Sequence, residues 1–389
     1  MRALIPALAI VVCAMTLTDV TGATAGQRAE PPSLASAPPV RASLDAAAPA
    51  SASSTQAQPA TQEETPFARP LLDRWLVIDA ATLSTRYRFS EDNVGKTTNN
   101  QQQHNEAFRL GFKIDEGGRY RLNTLINTGR GFTSSWNNTG LGTGDAAGMI
   151  FTKQLFLSAE PIDGISASFG GIGLERGEST EISTYDNDGY IIGERIAITR
   201  PKELFFDAIV FTNAFLGDLT EPSVWKRFKR MDERNFRQIL LRKKIGAVAA
   251  ASLDYTYRNG DDIVDAAIRV DTAPLRVIDS VRFENYKRFG DLGAYGFAFT
   301  LTKTVLPKLE LGGGYAQIDE LFGGLNSDRY NAGKRIFLQS SVALSNELTL
   351  STWFSQAFDN DFYVPHSRRF DVVLTYNLAH TLRQLHLVQ

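Results

Sequence analysis

The 389-residue chain carries 43% hydrophobic and 22% charged residues and a formal net charge of −2. That balance is ordinary for a folded protein and offers no basic excess to hold nucleic acid. Its 31 glycines, 24 phenylalanines and 12 tyrosines favour twisted strands and turns.

The chain opens with MRALIPALAIVVCAMTLTDVTGATAG, in which Arg2 precedes an apolar run from Ala3 to Leu17 and Ala23-Thr24-Ala25 forms a small-residue cleavage site. The run is shorter than the ~20 residues a spanning helix requires. Residues 1–25 are therefore predicted to be a secretory signal peptide. Cys13, the one cysteine, lies inside it, so cleavage after Ala25 leaves no thiol for a disulfide or a Cys-based metal or redox site. Residues 26–70 are Ala, Pro, Ser and Gln with few large apolar side chains. Such a segment cannot offset its chain entropy by burial and is predicted to be a disordered periplasmic linker. Residues 71–389 remain for the folded part, and no uncharged run within them reaches 18 residues, the least a transmembrane helix needs.

From Trp75 onward the pattern is one of alternating strands. Phe108, Leu110, Phe112 and Ile114 alternate with Ala107, Arg109, Gly111 and Lys113. In AAASLDYTYR (249–258), Leu253, Tyr255 and Tyr257 share one parity while Ser252, Asp254, Thr256 and Arg258 share the other. Tyr295, Phe297, Phe299 and Leu301 repeat the pattern, as do Phe370, Val372, Leu374 and Tyr376. This period of two is that of strands with one apolar face.

The connectors alternate as well. Tight turns fall at 116–118, 160–164, 200–202, about 244–248, 272–274, 306–308 and 345–346. Longer polar connectors fall near 90–104, 130–149, 176–188, 217–235, 259–261, 286–291, 319–333 and 359–368. Eight long loops and seven short turns separate sixteen strands, the pattern of an all-β, antiparallel up-and-down transmembrane β-barrel. An even strand number places both chain ends on the short-turn side. A soluble sandwich would have to bury the opposite parity, which carries Arg86, Arg88, Arg109, Arg121, Asp254, Arg258, Asp265, Arg269, Arg335, Arg369 and Asp371. A dry core rejects that many charges, whereas a water-filled interior accepts them. The apolar parity is therefore predicted to face lipid.

On this architecture the segment 75–378 resembles Gram-negative outer-membrane porins, above all in KQLFLSAEPIDGISASFGGIGLERGES (153–179) and RFDVVLTYNL (369–378). The resemblance implies an outer-membrane location, passive passage of small hydrophilic solutes or ions, contact with lipid and lipopolysaccharide, and a homotrimer. It also implies that the third long loop folds into the channel. One departure is that AHTLRQLHLVQ follows Leu378, where porins end on an aromatic residue.

The third long connector carries Glu175, Glu178, Glu181, Asp186 and Asp188. The first strands offer Arg86, Arg88, Arg109, Lys113 and Arg121 on the water-side parity. An acidic loop facing a basic wall would set up a transverse field that filters solutes by size and charge, and these ten residues are the expected constriction. WKRFKRMDERNFR (225–237) reads as a short solvated helix with Trp225 and Phe228 folded onto the rim, or as a contact for lipopolysaccharide phosphates or an anionic solute. Tyr87, Phe89, Tyr255, Tyr257, Phe283, Tyr295 and Phe297 are expected to form an interfacial girdle, with Trp75 marking the opposite one.

Enzymatic signatures are not expected. GTGDAA (142–147) fits G-x-G-x-x-A but lacks the strand-to-helix setting a dinucleotide site requires. His104 and His366 fall in expected long loops and His380 and His386 in the C-terminal tail, none paired with a nucleophile on a strand. No cofactor or metal is implied. The alternative to a porin is a structural or adhesive barrel whose lumen is plugged, without open-channel activity.

Overall fold

The computed structural model describes residues 75–384 except 133, 180–188, 200–203, 219, 273–276, 291–292 and 321–331. The expected signal peptide and linker, and the expected turn at 200–202, lie outside the described residues.

The first quarter of the described chain forms β1 (Leu76–Glu91), β2 (Thr97–Lys113), β3 (Tyr120–Thr128), β4 (Asn137–Gly142) and β5 (Ile150–Ile162). There follow β6 (Ile165–Gly173), β7 (Tyr190–Ile198), β8 (Ala208–Phe215), a short helix α1 (Val224–Phe228), β9 (Phe236–Ile245), β10 (Ala249–Arg258) and β11 (Asp261–Asp271). The remainder is β12 (Ser280–Arg288), β13 (Ala294–Leu306), β14 (Leu309–Ile318), β15 (Gly333–Ala343), β16 (Leu348–Phe358), β17 (Arg368–Asn377) and α2 (Leu378–Gln384).

Each strand pairs antiparallel with its neighbours, and β1 closes the sheet by pairing β17 from Thr82↔Asn377 to Glu91↔Arg368. Sixteen strands make the barrel, and β4 is an addition to it. β3 covers β2 only over Ala107–Lys113, and β4 takes over at Gln101–His104. Between them, residues 129–132 and 134–136 belong to no strand of the wall. The expected first long loop shrinks to 92–96, because β1 and β2 run on as a tall hairpin through Thr97–His104. His104 is thus a strand residue, with Nδ1 2.9 Å from Glu106 Oε1.

Closure inverts the usual burial pattern. On β10, Ala250, Ser252, Asp254, Thr256 and Arg258 are buried on the inner face while Leu253 and Tyr255 are exposed on the outer one. The same holds on β1, where Arg86 and Arg88 point in and Leu83 and Tyr87 point out. The segment RQILLRKKIG (237–246), whose sequence fits either face, resolves the same way. Gln238, Leu240 and Arg242 of β9 lie inward, opposite Thr256, Asp254 and Ser252. Outward aromatic rings keep polar tips near the loop ends: the Tyr87 hydroxyl donates to Asn100 Oδ1 at 3.0 Å and Tyr255 to Asp262 Oδ1 at 2.6 Å. Phe297 packs between Phe283 and Tyr315, with centroids at 6.3 and 5.7 Å. These are rings with an apolar body and a wet edge.

The wall of β13 and β14 is glycine-rich because rings from neighbouring strands lie flat on it. A Cβ on Gly296 would sit 2.0 Å from the Tyr286 hydroxyl, and one on Gly314 would sit 2.6 Å from Phe337 Cζ. Phe337 in turn stacks on Trp353 at 5.1 Å and 15°. Gly314→Ala also meets the Phe299 carbonyl, so it should cost about 1–3 kcal/mol through overpacking. Urea unfolding of the refolded barrel measures this.

Both ends of the described chain lie on the short-turn side. α2 turns back after β17, where Arg383 donates to the Ile78 carbonyl at 3.0 Å and His380 Nδ1 lies 2.9 Å from Glu347. Leu378–Gln384 therefore folds against β1 as a helix.

Candidate functional site in the barrel interior

Strand alternation and the β1–β17 seam bring four guanidiniums onto one inner surface. Arg88 faces Asp371 across the seam and grips it at both oxygens, Nε–Oδ1 and Nη2–Oδ2 each 3.0 Å. Arg369, the preceding inward residue of β17, adds Nε–Oδ2 at 3.0 Å. Arg86 donates to Gln103 Oε1 at 2.8 Å and lies 4.2 Å above the ring of Trp136, the residue that precedes β4. Gln103 donates to Asn138 Oδ1 of β4 at 2.8 Å. Arg335 of β15 donates to Ser355 Oγ at 3.0 Å and the His366 carbonyl at 2.7 Å. All four arginines are buried, a placement that charge-assisted hydrogen bonds and the shared carboxylate make tolerable.

The second half of the site starts where β6 ends. The chain from Leu174 to Ser179 runs across the inner faces of β7, β9, β10 and β11. Glu175 is held between Arg195 (3.5 Å) and Arg242, and its carbonyl accepts from Gln238 Nε2 at 2.9 Å. The Glu178 amide donates to Ser252 Oγ at 2.8 Å, and its carboxylate accepts from Arg269 Nε at 2.9 Å. Gly177 sits so close to β10 that a Cβ would lie 2.2 Å from Ser252 Cβ. Beneath it, Gln238 Nε2 and Thr256 Oγ1 donate to Asp254 at 2.6 and 2.9 Å.

Of the ten residues expected at the constriction, Glu175 and Glu178 lie inside the barrel, and Glu181, Asp186 and Asp188 lie outside the described residues. Arg86 and Arg88 belong to the seam cluster. Arg109, Lys113 and Arg121 share the inward parity but sit lower. Lys113 is twelve residues along β2 from Gln101, the partner of Arg88, or about 40 Å of strand. Arg109 is exposed to the interior, and Arg121 Nε donates to the Gly118 carbonyl beside the first short turn at 3.0 Å. The cations that do meet the two described acids are Arg195, Arg242 and Arg269. For Arg242 the signal was present but blurred, because RQILLRKKIG fits either face. Trp136 and Asn138, in a stretch without periodicity, gave no signal.

α1 lies on the other side of the wall. Gly171, Ile192 and Phe215 are cross-strand partners two residues beyond the outward Phe169 and Glu194. Val224 of α1 packs on Gly171, where a Cβ would stand 2.3 Å from Val224 Cγ2. Arg227 is sandwiched between Phe132 (4.4 Å) and Tyr190 (4.5 Å) and donates to the Leu216 and Asp218 carbonyls. The expected packing of Trp225 and Phe228 is thus corrected: Val224 and Arg227 turn in, Phe228 is partly buried, and Trp225 stays 57% exposed. The small gap at Gly171 accepts valine, and two loop carbonyls draw in the guanidinium. GTGDAA leads from β4 through a loop to β5, with no helix to serve a dinucleotide. Among the described residues no group of three or more metal-ligating side chains converges.

Family models and curated protein sequences give no match to the chain. Solved structures do. A variant of the Rhodopseudomonas blastica porin superposes with a TM-score of 0.50 at 10% identity, over 77% of this chain and 100% of that one. The fold is that of an outer-membrane porin. A second variant of the Rh. blastica porin reaches 0.51 at 9% identity over the same shares. The low-pH structure of Pseudomonas putida OprB matches at 0.48 and 10% identity, over 79% of this chain and 94% of that one. In this porin-like barrel, the 174–179 segment and the arginine seam occupy the inner face, and α1 stands outside near the loop ends.

Proposed function

We propose that the protein is an outer-membrane porin that lets small hydrophilic solutes or ions diffuse passively through its barrel, narrowed by the acidic third loop. The observation that carries this reading is the inversion of faces: apolar side chains outside, ionised side chains within, and a loop carrying Glu175 and Glu178 laid against the inner wall. Charged groups fixed along an interior act on ions by field and by size. Glu181, Asp186 and Asp188 continue the acidic loop, with Arg86 and Arg88 as the facing cations and Arg109, Lys113 and Arg121 lining the lower interior. Export across the inner membrane by the signal peptide, contact with outer-membrane lipid and lipopolysaccharide, and assembly as a homotrimer complete the proposal. In planar bilayers under a salt gradient, Glu178→Gln with Glu181→Gln should move the reversal potential toward anions by several millivolts. An unchanged potential removes the acidic constriction from the reading.

One observation favours a second reading, a plugged barrel with a structural or adhesive role. The seam charges Arg86, Arg88, Arg335, Arg369 and Asp371, with Trp136 laid on Arg86, are packed to near-zero exposure. Single-channel recording separates the two, since a plugged barrel shows no steady conductance.

A further inference from the structure

The outer wall carries a notch in its apolar face. The three glycines 312–314 of β14 lie between β13 and β15, with Leu301 and Leu338 opposite Gly313 on either side. Gly313 points outward and has no side chain, leaving a groove of about 460 Å³ lined by Leu301, Leu311, Gly313, Ile336, Leu338 and, from the adjoining short turn, Ile278. Lys303 stands at the turn-side foot of this groove, with Nζ 2.8 Å from Asp279 Oδ1. Asp279 also accepts from the Thr304 amide at 2.6 Å, and its bond to Lys303, with that amide, pulls its pKa down to about 2. A fixed ammonium and a fixed carboxylate therefore sit side by side at the base of an apolar slot, on the short-turn side of the barrel.

We infer that this groove binds a glycerophospholipid with a primary-amine headgroup from the leaflet on the short-turn side. One acyl chain fills the space over Gly313. The phosphate meets the Lys303 ammonium, and the headgroup ammonium meets the Asp279 carboxylate. This inference rests on the membrane-barrel reading but not on open-channel activity. The charge pattern selects the occupant. A zwitterion complements a Lys–Asp pair at both ends, whereas a glycerol headgroup lacks the cation and a choline headgroup lacks N–H donors for the carboxylate.

Native mass spectrometry of the whole mature barrel, refolded in detergent and offered phosphatidylethanolamine, phosphatidylcholine and phosphatidylglycerol, tests this. The expected result is one retained phosphatidylethanolamine per barrel, bound about tenfold more tightly than the others, a difference of about 1.4 kcal/mol. Leu311→Trp, which fills the groove from an exposed outer position, should abolish retention. Lys303→Gln with Asp279→Asn should keep a bound lipid but erase the preference. Unboiled gel mobility identifies variants that still fold. Equal retention of the three lipids, retention undiminished in a folded Leu311→Trp barrel, or disulfide capture of a second copy through Leu338→Cys would overturn the proposal. If the mature chain stays soluble without detergent, the membrane reading fails instead.

Discussion

Asp371→Ala should destabilise the barrel by about 3–5 kcal/mol, the range found when one member of a buried ion pair is removed. Asp371 is the carboxylate shared by Arg88 and Arg369, whose exposures are 1% and 3%. Its loss leaves two guanidiniums side by side, with little water to screen them. The site also straddles the seam between the first and last barrel strands, where closure is completed, so the variant should refold more slowly as well. Asp371→Asn keeps an oxygen acceptor and should fall between the two. Replacing Arg88 and Asp371 together by Met and Leu should cost less than Asp371→Ala alone, because no half of that pair remains buried. Urea titrations of barrels refolded into lipid vesicles measure all four proteins. If Asp371→Ala unfolds within about 0.5 kcal/mol of the parent, water reaches the arginines and the seam is an open channel wall.

The barrel was legible because the bilayer imposes a period of two with reversed sides, and long and short connectors then count the strands. Leu253, Tyr255 and Tyr257 against Asp254, Thr256 and Arg258 sufficed to orient β10. The signal failed where that constraint lapses. NNQQQHN (99–105) is polar on both faces, and it pairs as strand above the apolar belt, where no lipid demands alternation. The stretch 134–136 has no period because its side chains are chosen by individual partners, Trp136 by Arg86 and Ser135 by Asn127, whose Nδ2 donates to Ser135 Oγ at 2.9 Å. In the site, parity put Arg86, Arg88, Arg109, Lys113 and Arg121 on one face but could not rank their heights. Height depends on register and tilt around the closed wall, and so does the identity of the cations that Glu175 and Glu178 meet. Arg195, Arg242 and Arg269 come from three strands far apart in sequence, brought together only because the loop after β6 bends inward across them.

Leu253→Arg tests the inversion itself. Leu253 lies mid-strand on the outer face of β10, 45% exposed, with Leu241 and Ala266 as cross-strand neighbours and Tyr255 two residues toward the loops. In water an exposed leucine can become arginine at almost no cost. At the middle of a bilayer the same change costs about 2–4 kcal/mol. Arg109→Leu is the complementary exchange, on the inner face where Arg109 is exposed, and it should shift stability by no more than about 0.5 kcal/mol. The pair therefore predicts opposite outcomes from one pattern: an arginine that is costly outside and dispensable inside. Both variants can be followed by urea unfolding in vesicles, with unboiled gel mobility as the readout of the closed barrel. A Leu253→Arg barrel that folds and resists urea like the parent means the apolar side meets water, and the channel assignment loses its physical basis.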